Sequence, residues 1–181
     1  PAFISWWDYG FYAVAMGGHP TVADNFQDGI PTASNFHTAT SEEEAVAIFI
    51  VSLLEGDLYD NDRVLSNDAV SILAEYLGSS NASNIKLWME DPTESPSFDA
   101  PIASEYDKNL SKEYRVGEQW TSNAYYHDIV DLIVENLDDT EITWLYHKLQ
   151  HQTGYSIRYY GVEGYDKQKP SNDSHAKWRC L

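Results

Sequence analysis

The chain has 181 residues, enough for one domain, and carries 29 acidic against 11 basic side chains for a formal charge of −18. Residues 1–107 hold only two bases, Arg63 and Lys86, and the first 62 residues hold none, which argues against a grip on nucleic-acid phosphates and against adhesion of this part to anionic lipid. With 43% hydrophobic and 14% aromatic residues, the composition argues equally against disorder.

Ala2–Ser5 is a short apolar run that reads as a first strand. It leads into Trp6-Trp7-Asp8-Tyr9-Gly10, an aromatic string ending on Gly, as expected where a strand leaves a sheet into a shaped loop. Gly17-Gly18-His19-Pro20 marks a turn. Thr21-Val22-Ala23 reads as a short extended piece before a polar loop ending near Pro31. Ser41 followed by Glu44 has the form of a capping box. It opens a helix through Leu54 that is apolar on most sides and is expected to stop at Gly56. Its apolar stretch, Ala45–Leu54, is about half the ~20 residues a membrane span needs.

Leu58–Asn67 reads as an acidic loop, Asp68–Leu77 as a helix stopped by Gly78, Ser79–Asn84 as a linker, and Ala82–Asp91 as a short helix ended by Pro92. Ile129, Val130, Ile133, Val134 and Leu137 follow helical spacing and predict a helix over Tyr125–Leu137. Another is expected to start at Asp138–Glu141, run through Gln152 and stop at Gly154. Ile157–Val162 alternates and reads as a strand. The predicted class is mixed α/β, helix-rich, with a small sheet, in a single compact domain over 1–165 followed by a loose polar tail over 166–181. The tail contains the one cysteine, Cys180, so no intrachain disulfide forms. The chain begins at Pro1 rather than Met and shows no signal peptide, which reads as a piece cut from a longer protein.

Trp6–Gly10 is the segment richest in chemistry. An indole N–H only donates a hydrogen bond and an ionised carboxylate only accepts. Side by side they match a hydroxyl, which does both, and the indole faces offer a wall for a neighbouring methyl. The same string also fits an aromatic cluster that caps a core, with Asp8 bonding its own turn.

This string resembles the WWDYG signature of the oligosaccharyltransferase catalytic subunit, which carries out asparagine-linked glycosylation. Two further segments resemble archaeal members of that family: Gly18-His19-Pro20-Thr21-Val22-Ala23-Asp24-Asn25, and Thr153 to Val162. The resemblance implies that Trp6, Trp7 and Asp8 bind the Ser/Thr hydroxyl of an Asn-X-Ser/Thr acceptor, with Tyr9 and Gly10 shaping the loop. The magnitudes suit that role. A hydrogen bond to a charged group is worth ~1.5–3 kcal/mol, and a buried methyl adds ~0.8 kcal/mol in favour of Thr over Ser.

A second family motif lies on a short helix. Its nearest match here is Ala82-x-x-Ile85-x-x-x-Met89, which loses the family's first residue and keeps the other two; Ile85 and Met89 could pack on the threonine methyl, or simply form an ordinary core face. The resemblance further implies partners: an acceptor polypeptide, a lipid-linked oligosaccharide and the membrane region of the same enzyme. It implies a divalent cation, Mn or Mg, bound outside this chain, and a location on the extracytoplasmic face. On this reading the chain recognises the acceptor and is inactive alone. The rival expectation is a carbohydrate-binding module that uses exposed aromatics.

Weaker signals point to no other chemistry. His147 and His151 share a helix face but lack a third zinc ligand. Asp57, Asp60, Asp62 and Asp68 cluster in one loop, yet Val64 and Leu65 stand where a calcium loop needs a ligand and a Gly. Asn81, Asn109 and Asn172 each begin an Asn-X-Ser pattern. The acid surplus fits a halophilic source or the steering of basic acceptor segments.

Overall fold

The computed structural model describes residues 1–5, 7–23, 29–97 and 118–160; of Trp7–Tyr9, Phe11, Tyr12, Ile30, Pro31, residues 118–124, Tyr159 and Tyr160 it describes the backbone alone. In chain order the elements are β1 (Ala2–Ile4), α1 (Trp7–Gly17), α2 (Ile30–Thr38), α3 (Glu42–Asp60), α4 (Asn67–Leu77), α5 (Ser79–Glu90), a 3-10 turn (Pro92–Glu94), α6 (Glu118–Asn136), α7 (Asp139–Thr153) and β2 (Ile157–Tyr160). The helix-rich mixed class with a small sheet is what the sequence predicts. The sheet has two parallel strands, pairing Ala2 with Ile157 and Ile4 with Tyr160 around an irregularity between Ala2 and Phe3.

The core is built around α3. Ala47, Ile48, Ile50, Val51, Leu53 and Leu54 are all buried, so apolar groups cover most of the helix circumference. It packs against α6 and α7 and is crossed by α2. Leu73 and Leu77 of α4, Ile85 and Met89 of α5, Ile129 and Ile133 of α6, and Leu145 and Leu149 of α7 join it in one hydrophobic cluster. No described helix is long and apolar enough to cross a membrane.

Four expectations are corrected. The motif does not leave β1 into a loop: the backbone from Trp7 is helical, and Asp8 and Tyr9 lie in the first turn of α1. The turn at Gly17–Pro20 ends that helix, with Gly18 in the left-handed region at φ 62°. Pro31 does not close a loop either; it lies in the first turn of α2, behind Gly29 at φ 71°.

Gly56 does not stop α3, which continues to Asp60. A Cβ at Gly56 would lie 2.7 Å from Cδ2 of Tyr155, so the glycine is there to admit an aromatic ring. Finally, α5 begins at Ser79 with no linker, and Gly78 at φ 82° alone turns the chain from α4 into α5.

The helix caps follow the sequence closely. Ser41 Oγ accepts from Glu44 N at 3.1 Å, while Glu44 reaches one residue further back than a standard box and accepts from Thr40 N at 2.6 Å. Asp138 and Glu141 form the full reciprocal box on α7. The predicted tail lies outside the described residues.

Candidate functional site

β1 is held on two sides. Ala2 N donates to Ser156 O (2.6 Å) at the head of β2. On the other side Phe3 N donates to Pro20 O and Val22 N donates to Phe3 O, both at 2.9 Å. The Thr21 hydroxyl lies within bonding distance of the carbonyls of Phe3 (3.1 Å) and Ala23 (3.0 Å). Segment 21–23 is thereby fixed beside β1, and Ala23 is fully buried.

Two glycines close on that segment. A Cβ at Gly10 would fall 1.7 Å from Ala23 O, and a Cβ at Gly29 would fall 1.7 Å from Val22 O. Gly10 of the motif is therefore required for the approach of α1, and Gly29 for the approach of α2. The start of β2 is also anchored by Tyr146 of α7. Its hydroxyl donates to Ile157 O at 2.7 Å and accepts from Ile157 N at 3.0 Å.

The three segments that resemble the oligosaccharyltransferase family meet here. Residues 7–10 of the first, Thr21–Ala23 of the second and Ile157–Tyr160 of the third surround or extend from β1. Trp6 lies outside the described residues, as do the side chains of Trp7, Asp8 and Tyr9. Ile85 and Met89 take a different position: they are 0% and 2% exposed, in the core, where α5 packs on α4, α6 and α3 while α1 packs on β1. Ala82 is buried with them, as an ordinary core face would be.

Sequence reasoning missed a second polar cluster close by. Glu55 ends the apolar run of α3, and its carboxylate is enclosed although the residue as a whole is half-buried. It accepts from Tyr125 OH and from Tyr126 OH, both at 2.6 Å, with Thr32 Oγ1 of α2 at 3.4 Å. The Thr32 and Tyr126 hydroxyls are 2.5 Å apart. The two tyrosine rings stack at 5.6 Å. Burial pushes the Glu55 carboxyl above its ordinary range, against the lowering effect of the three hydroxyls. Burial also pushes the Tyr126 phenol well up, and the charge of Glu55 adds to that. The signal in the sequence was an acid placed directly after the apolar run Ala45–Leu54, together with the adjacent Tyr125 and Tyr126.

The weaker candidates resolve into local structure. Asp57 accepts from Ser66 N and Ser66 Oγ, both at 2.8 Å, Asp60 accepts from Tyr155 OH (3.0 Å), and Asp68 accepts from Gln152. Among the described residues no three His, Cys, Asp or Glu side chains converge as a metal site. His147 and His151 are exposed, and His147 contacts Gln150. Asn81 lies within α5, its amide donating to Leu77 O at 3.1 Å; Asn109 and Asn172 lie outside the described residues.

Comparison with known proteins gives two short matches. A stretch of 47 residues, 26% of the chain, is 47% identical to dolichyl-phosphooligosaccharide-protein glycotransferase 2 of Archaeoglobus fulgidus. A stretch of 45 residues, 25% of the chain, is 44% identical to glycotransferase 1 of the same name and organism. Each match covers 8% of the relative's length. No family model and no solved structure matches. Both names describe oligosaccharide transfer to protein.

Proposed function

We propose that this chain is the acceptor-recognising part of an archaeal-type oligosaccharyltransferase. The full enzyme would transfer a lipid-linked oligosaccharide to Asn in Asn-X-Ser/Thr on the extracytoplasmic face of the membrane. Trp6, Trp7 and Asp8 would bind the +2 hydroxyl: indole N–H groups donate to it and the carboxylate accepts from it. The divalent cation and the transfer chemistry would belong to parts of the enzyme outside this chain. The observation that carries the reading is the meeting of three separate family-like segments around β1, with Gly10 of the motif pressed onto Ala23.

The test is Asp8→Ala in a full-length relative carrying this domain. Losing one charged hydrogen bond of ~1.5–3 kcal/mol predicts about a 10- to 100-fold fall in transfer to Asn-X-Thr peptides. Unchanged transfer would sink the assignment.

One observation favours the carbohydrate-binding reading. Trp144 is 58% exposed on α7, beside a hollow of about 370 Å³ lined also by Asp139, Thr140, Thr143 and His147. An exposed indole flanked by hydroxyl and carboxylate groups is a surface on which a sugar face could stack. Titrating the chain with oligosaccharides, and separately with Asn-X-Thr and Asn-X-Ala peptides, discriminates the two readings. Glycan binding lost in Trp144→Ala, with no response to the +2 hydroxyl, would favour the second.

A further inference from the structure

A carboxylate enclosed at the end of the apolar run of α3 needs a reason. Removing a carboxylate from water costs free energy that hydrogen bonds recover only in part. Glutamine or a hydrophobic side chain at this place in α3 would carry no such cost. What Glu55 gains is geometry: its two oxygens collect three hydroxyls from two other helices, Tyr125 and Tyr126 of α6 and Thr32 of α2. Among the described residues no Lys or Arg forms an ion pair with it. The groups that face it are those three hydroxyls, two of them titratable phenols.

From Thr32 the contacts run directly to the motif. Thr32 lies in the first turn of α2, three residues after Gly29. Gly29 meets the backbone of Val22, Val22 donates to Phe3 of β1, and the neighbouring Ala23 carbonyl meets Gly10.

We propose that Glu55 is a positioning residue for the acceptor site: its carboxylate draws Thr32, Tyr125 and Tyr126 onto α3, and so fixes Gly29 and segment 21–23 against Gly10. The proposal rests on the acceptor-binding reading. It also implies that the protein gives up stability here for placement. Because the folded-state pKa of Glu55 is raised, its contribution to stability is full below the ordinary glutamate range. It is lost as pH rises through the raised value.

The test is Glu55→Gln in the full chain, with Tyr125→Phe as a milder second variant. Hydrogen exchange at the Val22 amide, corrected for the intrinsic pH dependence of exchange, is the first readout. In the native chain its protection should change as Glu55 titrates; in Glu55→Gln it should be flat with pH and at least 10-fold lower near neutrality. Thermal stability of Glu55→Gln should be equal or higher at any pH above that at which Glu55 ionises in the fold. Tyr125→Phe should shift exchange in the same direction by less. In a full-length enzyme carrying the domain, discrimination of Asn-X-Thr over Asn-X-Ala should fall about 10-fold. Unchanged Val22 exchange, or a uniform rise across all amides with a parallel loss of thermal stability, would overturn the proposal. If the native domain shows no preference for a +2 hydroxyl, the acceptor reading fails, while Val22 exchange still decides whether Glu55 positions segment 21–23.

Discussion

Gly10 and Ala23 are in backbone contact: any side chain at position 10 would place its Cβ 1.7 Å from the Ala23 carbonyl oxygen, and 2.8 Å from Thr21 Oγ1. Neither neighbour can yield cheaply. The Ala23 carbonyl is backbone, and the Thr21 hydroxyl is engaged with Phe3 and Ala23. Gly10→Ala should therefore cost about 3 kcal/mol or more, the upper range of overpacking, and disturb the motif with it. Gly18→Ala is the control. It stands in open space at φ 62° and should cost only about 1–2 kcal/mol of backbone strain. Thermal or urea unfolding of the two variants checks the order, and equal losses would mean that the contact at Gly10 relaxes.

Gly56 and Tyr155 stand in a similar relation with a different outcome. Here the obstacle is the ring of an exposed side chain, 42% accessible, whose hydroxyl donates to Asp60. In Gly56→Ala the ring swings out. The helix gains about 1 kcal/mol of propensity and loses a hydrogen bond of similar worth, so stability should stay within about 1 kcal/mol of the native chain. The phenol reports the change. Its hydrogen bond to Asp60 holds the Tyr155 pKa above the ordinary tyrosine value, and both Gly56→Ala and Asp60→Asn should bring it back down in a spectroscopic titration. A phenol that titrates as before would place the ring still against α3.

These glycines also show where the sequence speaks and where it does not. Gly78 and Gly154 end helices, as their places after apolar repeats indicate. Gly56 carries the same local signal and does not end a helix, because its reason lies with Tyr155, 99 positions away in the chain. Helix α2 escaped for a related reason: IPTASNFHT has little propensity and only a short apolar spacing, Ile30, Ala33 and Phe36, and its Thr32 and Ala33 are buried by contacts with distant elements. The caps at Ser41 and Asp138, by contrast, are local chemistry and were legible. So was the motif as a string, but not its helical backbone or the packing of Gly10 on Ala23. Glu55 had no local rationale at all, since its three partners come from α2 and α6.

Asp57 holds the turn after α3. Its carboxylate, on a residue 5% exposed, accepts from Ser66 N and Oγ and steadies a loop in which Asp62 and Arg63 both adopt positive φ. Asp57→Ala leaves the Ser66 N–H without this acceptor and should cost about 2–3 kcal/mol. The loss should be the same in calcium and in chelator, because the acid serves the backbone. A stability difference that appears only with calcium would restore the acidic loop as a cation site.

Tyr146 fastens β2 to α7 with one hydroxyl that serves both backbone groups of Ile157. Tyr146 is 9% and Ile157 is 6% exposed, so little water can replace it. Tyr146→Phe should cost about 2 kcal/mol and release the strand pair at its start. Faster hydrogen exchange at Ala2, whose N–H donates to Ser156 O, is the local readout. Unchanged exchange there would mean that the sheet is held by its own ladder and by Thr21.

The charge of −18 is met by few cations. Among the described residues the ion pairs are Lys86 with Glu90 and Lys148 with Glu75. Repulsion between the remaining acids is long-ranged in dilute salt and is screened as the Debye length falls from about 10 Å at 0.1 M to about 3 Å at 1 M. The midpoint of thermal unfolding should therefore rise with potassium chloride and level off near molar salt. Glu43 and Asp139, at the starts of α3 and α7, provide a local gauge. The charge of Glu43 is the first cause of the raised Asp139 pKa. Raised means that protonated Asp139 is favoured in the fold, so its contribution to stability is lost as pH rises through that value, and screening should lessen the loss. In an NMR titration the Asp139 pKa should fall toward the ordinary aspartate value as salt is added. A midpoint that ignores salt while Asp139 shifts would confine the repulsion to that pair; if both stay fixed, the acid surplus acts on solubility alone.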